Sequence, residues 1–269
     1  MIRTHARRLT TVSLVCGLLL SAIAADSEPV AVRFAEGLVH GFLKLSTTDG
    51  TPLADGDLLQ TAQGNRVTSR LIFRFKDKST HAETSVYTQQ GQFRLVSYHL
   101  SQQGPSFPRT LDMTIDQAGL ATVKYTDDHG QQKTESEHLK VPAADLSNGM
   151  MLTLLKNVRA GAIPAELSLV VATPKPRVVK LKLSSAGDET FSTGGMRRTA
   201  THYVVKVDIG GLAGLVAPVV GKQPADSHVW ILAGDVPAFV KSEQLFYMGA
   251  PLWRVELVSP VWPHPQPAQ

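Results

Sequence analysis

One cysteine, Cys16, stands in 269 residues, and it falls within the first two dozen. Everything after it is free of thiols, which excludes disulfides, cysteine nucleophiles and cysteine-based metal centres from that part of the chain. Aromatic residues are sparse at 6%, and no run of Lys or Arg is interleaved with them. The stacking platforms and phosphate-tracking stripes of nucleic-acid binders are therefore missing. After the first 24 residues no apolar run approaches the roughly 20 residues of a membrane-crossing helix. Catalytic signatures are missing too. There is no Gly-x-Ser-x-Gly elbow and no His-Glu-x-x-His helix. Gly221-Lys222 looks like the end of a phosphate loop, but Val216 occupies the place of the first glycine and Gln223 that of the Ser or Thr. No cofactor is expected.

What is present begins with Arg3, Arg7 and Arg8, followed by an uncharged run from Thr10 to Ala24 that closes on Ala22-Ile23-Ala24. A basic start, a short apolar segment and a small-x-small ending have the three parts of a secretory signal, which predicts cleavage after Ala24. Ser13-Leu14-Val15 before Cys16 does not fit a lipidation signal. The expected organisation is a signal peptide at 1–24, a single β-rich domain at 25–260 and a proline-rich tail at 261–269. The expected location is periplasmic or secreted. The whole chain carries +4, and the three signal arginines account for most of it. The remainder is nearly neutral and offers no field for attracting nucleic acid.

Period-2 alternation dominates from there on. In Arg70–Lys76, Leu71, Phe73 and Phe75 oppose Arg70, Arg74 and Lys76, and Val179–Leu183 and His202–Ile209 repeat the pattern. These are half-buried strands. Weaker candidates are Leu38–Leu45, Glu83–Thr88, Phe93–Leu100, Leu111–Ile115, Leu120–Tyr125, Leu167–Ala172, Val229–Leu232, Phe239–Leu245 and Trp253–Val258. Turn signals fall between or beside them at Asp49-Gly50, Asp55-Gly56, Gln90-Gly91, Gly119, His129-Gly130, Gly187-Asp188, Gly194-Gly195, Gly234-Asp235 and Gly249. Such short spacing predicts antiparallel hairpins. One helix is expected, capped by Asp145-Leu146-Ser147 and carrying Leu146, Met150, Leu154 and Val158 on one stripe, widened by Met151 and Leu155. The predicted fold is mainly β: a large curved antiparallel sheet, half-barrel or open barrel, with that helix packed on it.

Two features could touch a ligand. Ile209–Gly221 is uncharged and punctuated by Gly210, Gly211 and Gly214, which suits either an apolar flap or a buried crossover. Met150 and Met151 could line an adaptable groove or fill the core. The hypothetical binding set is Met150, Met151, Leu154, Gly210, Gly211, Leu212, Gly214, Leu215 and Val216. The histidines are dispersed without metal-ligand spacing, so no metal site and no catalytic residue are assigned. Asp112 and Asp116 would stand roughly 13 Å apart along a strand, too far for a glycosidase pair at about 5–9.5 Å.

The order of strands, then the helical text Asp145-Leu-Ser-Asn-Gly-Met-Met-Leu-Thr-Leu-Leu-Lys-Asn157, then more strands behind an export signal, resembles uncharacterised exported bacterial proteins. These are of the kind grouped with the half-barrel lipoprotein-localisation factors. The resemblance implies a lipid or other apolar molecule cradled between a curved sheet and helices. The leading expectation is thus a periplasmic, non-enzymatic protein holding a lipid or acyl chain on the concave face of its sheet. An envelope protein–protein interaction module is the alternative, and a hydrolase assembled from distant residues such as His202 and Asp208 is a third. Nucleic acid is not an expected partner.

Overall fold

The structure, a computed structural model, describes residues 30–158, 166–193, 196–208 and 224–258. In chain order the strands are β1 (Val39–Thr47), β2 (Pro52–Gln63), β3 (Arg66–Phe75), β4 (Thr80–Gln90), β5 (Gln92–Gln103), β6 (Leu111–Ile115), β7 (Leu120–Thr126) and β8 (Gln132–His138). After a 3-10 turn (Ala143–Asp145) and helix α1 (Met151–Asn157) come β9 (Glu166–Ala172), β10 (Pro176–Thr193), β11 (Met196–Asp208), β12 (Ser227–Leu232), β13 (Ala238–Gln244) and β14 (Trp253–Val258). All fourteen join one sheet in the order β8-β7-β6-β5-β4-β3-β2-β1-β14-β13-β12-β11-β10-β9. The sheet is antiparallel and curved and does not close into a barrel, the architecture that the alternation predicts.

The order has a simple logic. β1 to β8 form one meander of sequential neighbours and β9 to β14 another, and β1 zips them together by pairing with β14 from Phe42↔Val258 to Thr47↔Trp253. The two free edges of the sheet, β8 and β9, are consecutive in sequence. The segment joining them, which contains α1, must therefore run from one end of the curved sheet to the other.

Two clusters make the core. The larger is mostly aliphatic and draws on β3 to β7, α1 and β9 to β12, with Val67, Met113, Leu155, Leu183 and Ile231 among its buried members. The smaller is aromatic: Phe73, Phe75, Phe107, Phe246 and Trp253 pack around Leu43, Leu45 and Val255. Ring centroids there lie 5.2–5.6 Å apart for Phe73–Phe246, Phe75–Phe107, Phe75–Trp253 and Phe246–Trp253. Tilted and edge-on arrangements at that spacing add about 0.5–1.5 kcal/mol per pair beyond area burial.

Four local expectations are corrected. Asp55-Gly56 is not a turn but lies inside β2, where Gly56 faces Phe73. A Cβ on Gly56 would stand 2.4 Å from the Phe73 ring and 2.8 Å from Leu43 Cβ, so the glycine answers a close approach. Gly187-Asp188 is not a hairpin tip but the site of a register shift within the β10–β11 pair, a β-bulge. β8 was not anticipated, because Gln132–His138 has no apolar residue to alternate. The helix is shorter than the Leu146–Val158 stripe suggests and is not capped by Asp145-Leu146-Ser147. Leu146 is instead bridged in parallel to Ser168 of β9, and Gly149 takes φ +67°, a left-handed conformation that breaks the helix before Met150. The apolar spacing was real, but Leu146 is buried by the sheet edge rather than by a helical face.

Candidate functional site

The interior is built around α1. Met150 and Leu154 are buried in the aliphatic cluster and Met151 is half-buried against it. Gly210, Gly211, Leu212, Gly214, Leu215 and Val216 lie outside the described residues, as do the expected signal, the proline-rich tail and Gly194-Gly195. Beside α1 the cluster gives way to a chain of polar contacts that fixes the helix to the wall and to residues 33–37. Asn157 Oδ1 accepts from the backbone N–H of Arg33 at 2.8 Å and of Phe34 at 2.7 Å. Lys156 Nζ lies 2.5 Å from Glu36 Oε1, and Gln60 Nε2 donates to Glu36 Oε2 at 2.9 Å. Tyr87 OH donates to Gln60 Oε1 at 3.2 Å and meets Thr153 Oγ1 at 3.3 Å. Burial, opposed in part by the Thr153 contact, pushes the Tyr87 phenol well above its ordinary range, so it stays a neutral donor. These contacts tie α1 to β2, β4 and residues 33–36.

The outer face carries a second cluster. His202, Trp230 and Lys241 are directly paired across β11, β12 and β13, so their side chains stand in one row. The His202 ring stacks on Trp230 with centroids 4.2 Å apart and planes 14° from parallel, and Lys241 Nζ sits 4.1 Å from the indole centroid. His202 Nε2 is 2.9 Å from His228 Nδ1, and its Nδ1 is 2.9 Å from Glu189 Oε1. Desolvation, opposed by Glu189 and reinforced by His228, holds the His202 pKa below its usual value. The residue expected to accompany it in a hydrolytic site is elsewhere, since Asp208 pairs with Lys182 at 2.9 Å. Neither described partner of His202 is a hydroxyl nucleophile, and no group of three or more potential metal ligands occurs among the described residues. Asp112, likewise, pairs with His99 at 2.7 Å.

The third feature is the seam where the sheet fails to close. There β10 lies against β7 and β8, and a cleft of about 380 Å³ opens between the residues following β8 and the start of β10. Leu139, Val141, Pro176 and Val178 give it an apolar lining. Leu139, Val141 and Val178 are half-buried and pack directly on the aliphatic cluster, so this lining is continuous with the core. Lys140, Lys175 and Arg177 line the same cleft, the two lysines exposed and the arginine half-buried. Among the described residues these three cations have no ion-pair partner, and Glu137 is the one carboxylate on the wall. Sequence reasoning missed this site because its two halves are more than thirty residues apart and carry no motif. The available signal was modest: cations alternating with apolar residues in Leu139-Lys140-Val141 and with prolines in Pro174-Lys175-Pro176-Arg177.

Comparison with known proteins adds the following. No curated protein matches the chain. A solved structure, the crystal structure of a beta-barrel-like protein of domain of unknown function DUF1849 from Brucella abortus, is similar over 83% of this chain and 98% of that one, with 11% identity and a TM-score of 0.46. Neither this likeness nor the family match below places the chain with the half-barrel lipoprotein-localisation factors. Residues 39–248, from the first residue of β1 to beyond the end of β13, match the family described as protein of unknown function, DUF3108. The chain belongs to that family.

Proposed function

We propose that this chain is an exported, non-enzymatic binding protein for a hydrophobic ligand, a lipid or acyl chain, taken up at the seam of its open sheet. The observation that carries the reading is the seam cleft, three of whose apolar lining residues, Leu139, Val141 and Val178, pack on the aliphatic core. Its volume of about 380 Å³ falls in the range of small-molecule sites, which are typically apolar with a few placed polar groups. The basic, apolar and small-x-small order of residues 3–24 supports export. The measurement is saturable uptake of a fluorescent fatty acid by the purified protein, together with a native mass spectrum searched for bound lipid. Val141→Asp and Val178→Asp each reduce uptake about tenfold or more, because a carboxylate in the lining must be desolvated by an apolar guest. Absence of both co-purified lipid and saturable uptake sinks the reading. Leu212→Asp and Leu215→Asp in the same assay test whether the glycine-punctuated segment shares in binding.

A second reading, an envelope interaction module, is favoured by one specific observation. β8 has no strand partner on its outer side among the described residues, and six of its seven residues are exposed. A partner could contact that exposed polar edge through the side chains of β8. Crosslinking to a periplasmic protein through β8, in a protein that takes up no fatty acid, would favour this second reading over the first.

A further inference from the structure

We infer that the seam cleft selects amphiphiles with an anionic head, and that Lys140, Lys175 and Arg177 are its specificity determinants. The inference rests on the reading of the cleft as an apolar-ligand site and adds the chemical class of the ligand's polar end.

Lys140 stands between Leu139 and Val141, and Lys175 and Arg177 flank Pro176, so each cation alternates with a residue of the apolar lining. The lining packs on the core while the lysines face water, which gives the cleft a greasy base under a cationic rim. Five cations elsewhere among the described residues are matched by a carboxylate. Lys156 meets Glu36, Arg94 meets Asp145, Lys180 meets Glu166, Lys182 meets Asp208 and Arg254 meets Glu243. At the seam, three cations without a carboxylate partner among the described residues converge from two separate chain segments on one concavity. Glu137 shares the wall and opposes an anion, but the cations outnumber it.

The chemistry of the rim separates candidate ligands. A neutral lipid, such as an ester or alcohol of the same chain length, gains only from the apolar lining. An amphiphile ending in a carboxylate or phosphate gains the same burial and also accepts charge-assisted hydrogen bonds from Lys140, Lys175 and Arg177, the arginine offering a planar fork suited to either anion. Partly exposed cations contribute modestly one by one, so discrimination comes from three acting on one head group. The cleft's location at an opening of the sheet lets the head remain at the rim while the chain points toward the core.

The test uses the full mature protein and three probes: a fluorescent long-chain fatty acid, its methyl ester, and inorganic phosphate. The expected result is that the acid binds about tenfold tighter than the ester, equivalent to about 1.4 kcal/mol. A Lys140→Gln, Lys175→Gln, Arg177→Gln variant brings the acid down to the affinity of the ester and leaves the ester unchanged. Raising the salt concentration weakens the acid alone. Far-UV circular dichroism and a cooperative melt confirm that the variant is folded. Equal affinity for acid and ester, or a preference that survives the triple substitution, overturns the inference while leaving the apolar-ligand reading standing. No binding of either lipid sinks that reading. Phosphate binding that depends on the three cations, without fatty-acid uptake, identifies a free anion as the ligand and overturns the amphiphile.

Discussion

The two ends of this sheet are built from the same backbone chemistry and treated in opposite ways. At β9 the free edge is covered: Leu146 bridges Ser168, Ser147 N–H and Oγ–H both donate to the Ser168 carbonyl at 2.8 Å, and the Asn148 amide exchanges two 2.9 Å hydrogen bonds with Val170, donating to its carbonyl and accepting from its N–H. Asn148 thus imitates a strand residue with its side chain. At β8 nothing of the kind occurs among the described residues, and the strand is polar throughout. An edge sealed by buried amides belongs to the core, whereas an edge left to charged side chains is one that the protein keeps from pairing but not from contact. The ligand site proposed for the seam lies on the uncovered side.

The largest effect that sharpens this contrast is expected from Asn148→Ala. The residue is 1% exposed, and its loss leaves both the N–H and the carbonyl of Val170 buried without a partner. Unsatisfied buried groups cost about 1–3 kcal/mol each, so a loss of roughly 2–4 kcal/mol is expected by urea denaturation. A change below about 0.5 kcal/mol would mean that β9 is no better sealed than β8. A smaller effect is expected at the far end of the same connection, where Asn157→Ala removes the acceptor for the N–H groups of Arg33 and Phe34. That part of the chain is half exposed and water can substitute, so about 1–2 kcal/mol is expected in the same titration. Hydrogen exchange should quicken at Arg33 and Phe34 but not in β6 or β7.

Much of this contrast could be read from the sequence, and the remainder shows what alternation cannot report. β6 and β14 fall on the residues that alternation marks, Leu111–Ile115 and Trp253–Val258, because one face of each is apolar. β8 was invisible because an edge strand held only by β7 needs no apolar face. β2 was misread because a glycine beside an aspartate signals a turn unless a ring from the next strand fills the space of its missing side chain, as Phe73 does at Gly56. Leu146 was drawn into the helix because it shares the helical spacing, while the polar Ser147 and Asn148 that pull it out reach partners 21 and 22 residues ahead. The seam itself joins Lys140 to Arg177, a pairing that only the curvature of fourteen strands brings about.

The smallest expected change in stability concerns the open edge and tests why it stays open. Glu135 pairs with Val123 and Glu137 with Ala121, both buried residues of β7, so these carboxylates stand on the core-facing side of the sheet at its last strand. Charges placed there are a means of blocking further strands, since an added strand would have to bury them beside its own apolar face. Glu135→Val removes one such charge without touching the cleft, whose wall includes Glu137 but not Glu135. Because Glu135 makes no ion pair among the described residues and β8 is largely solvated, the melting midpoint should move little, consistent with the ±0.5 kcal/mol typical of surface positions. What should change is association: valine raises the strand propensity of β8 and makes its inner row continuous with Val123. Light scattering at rising protein concentration should then show a larger apparent mass for the variant than for the unsubstituted chain. Identical masses would show that something other than inward charge guards β8, and the contrast between the two edges would rest on the sealed one alone.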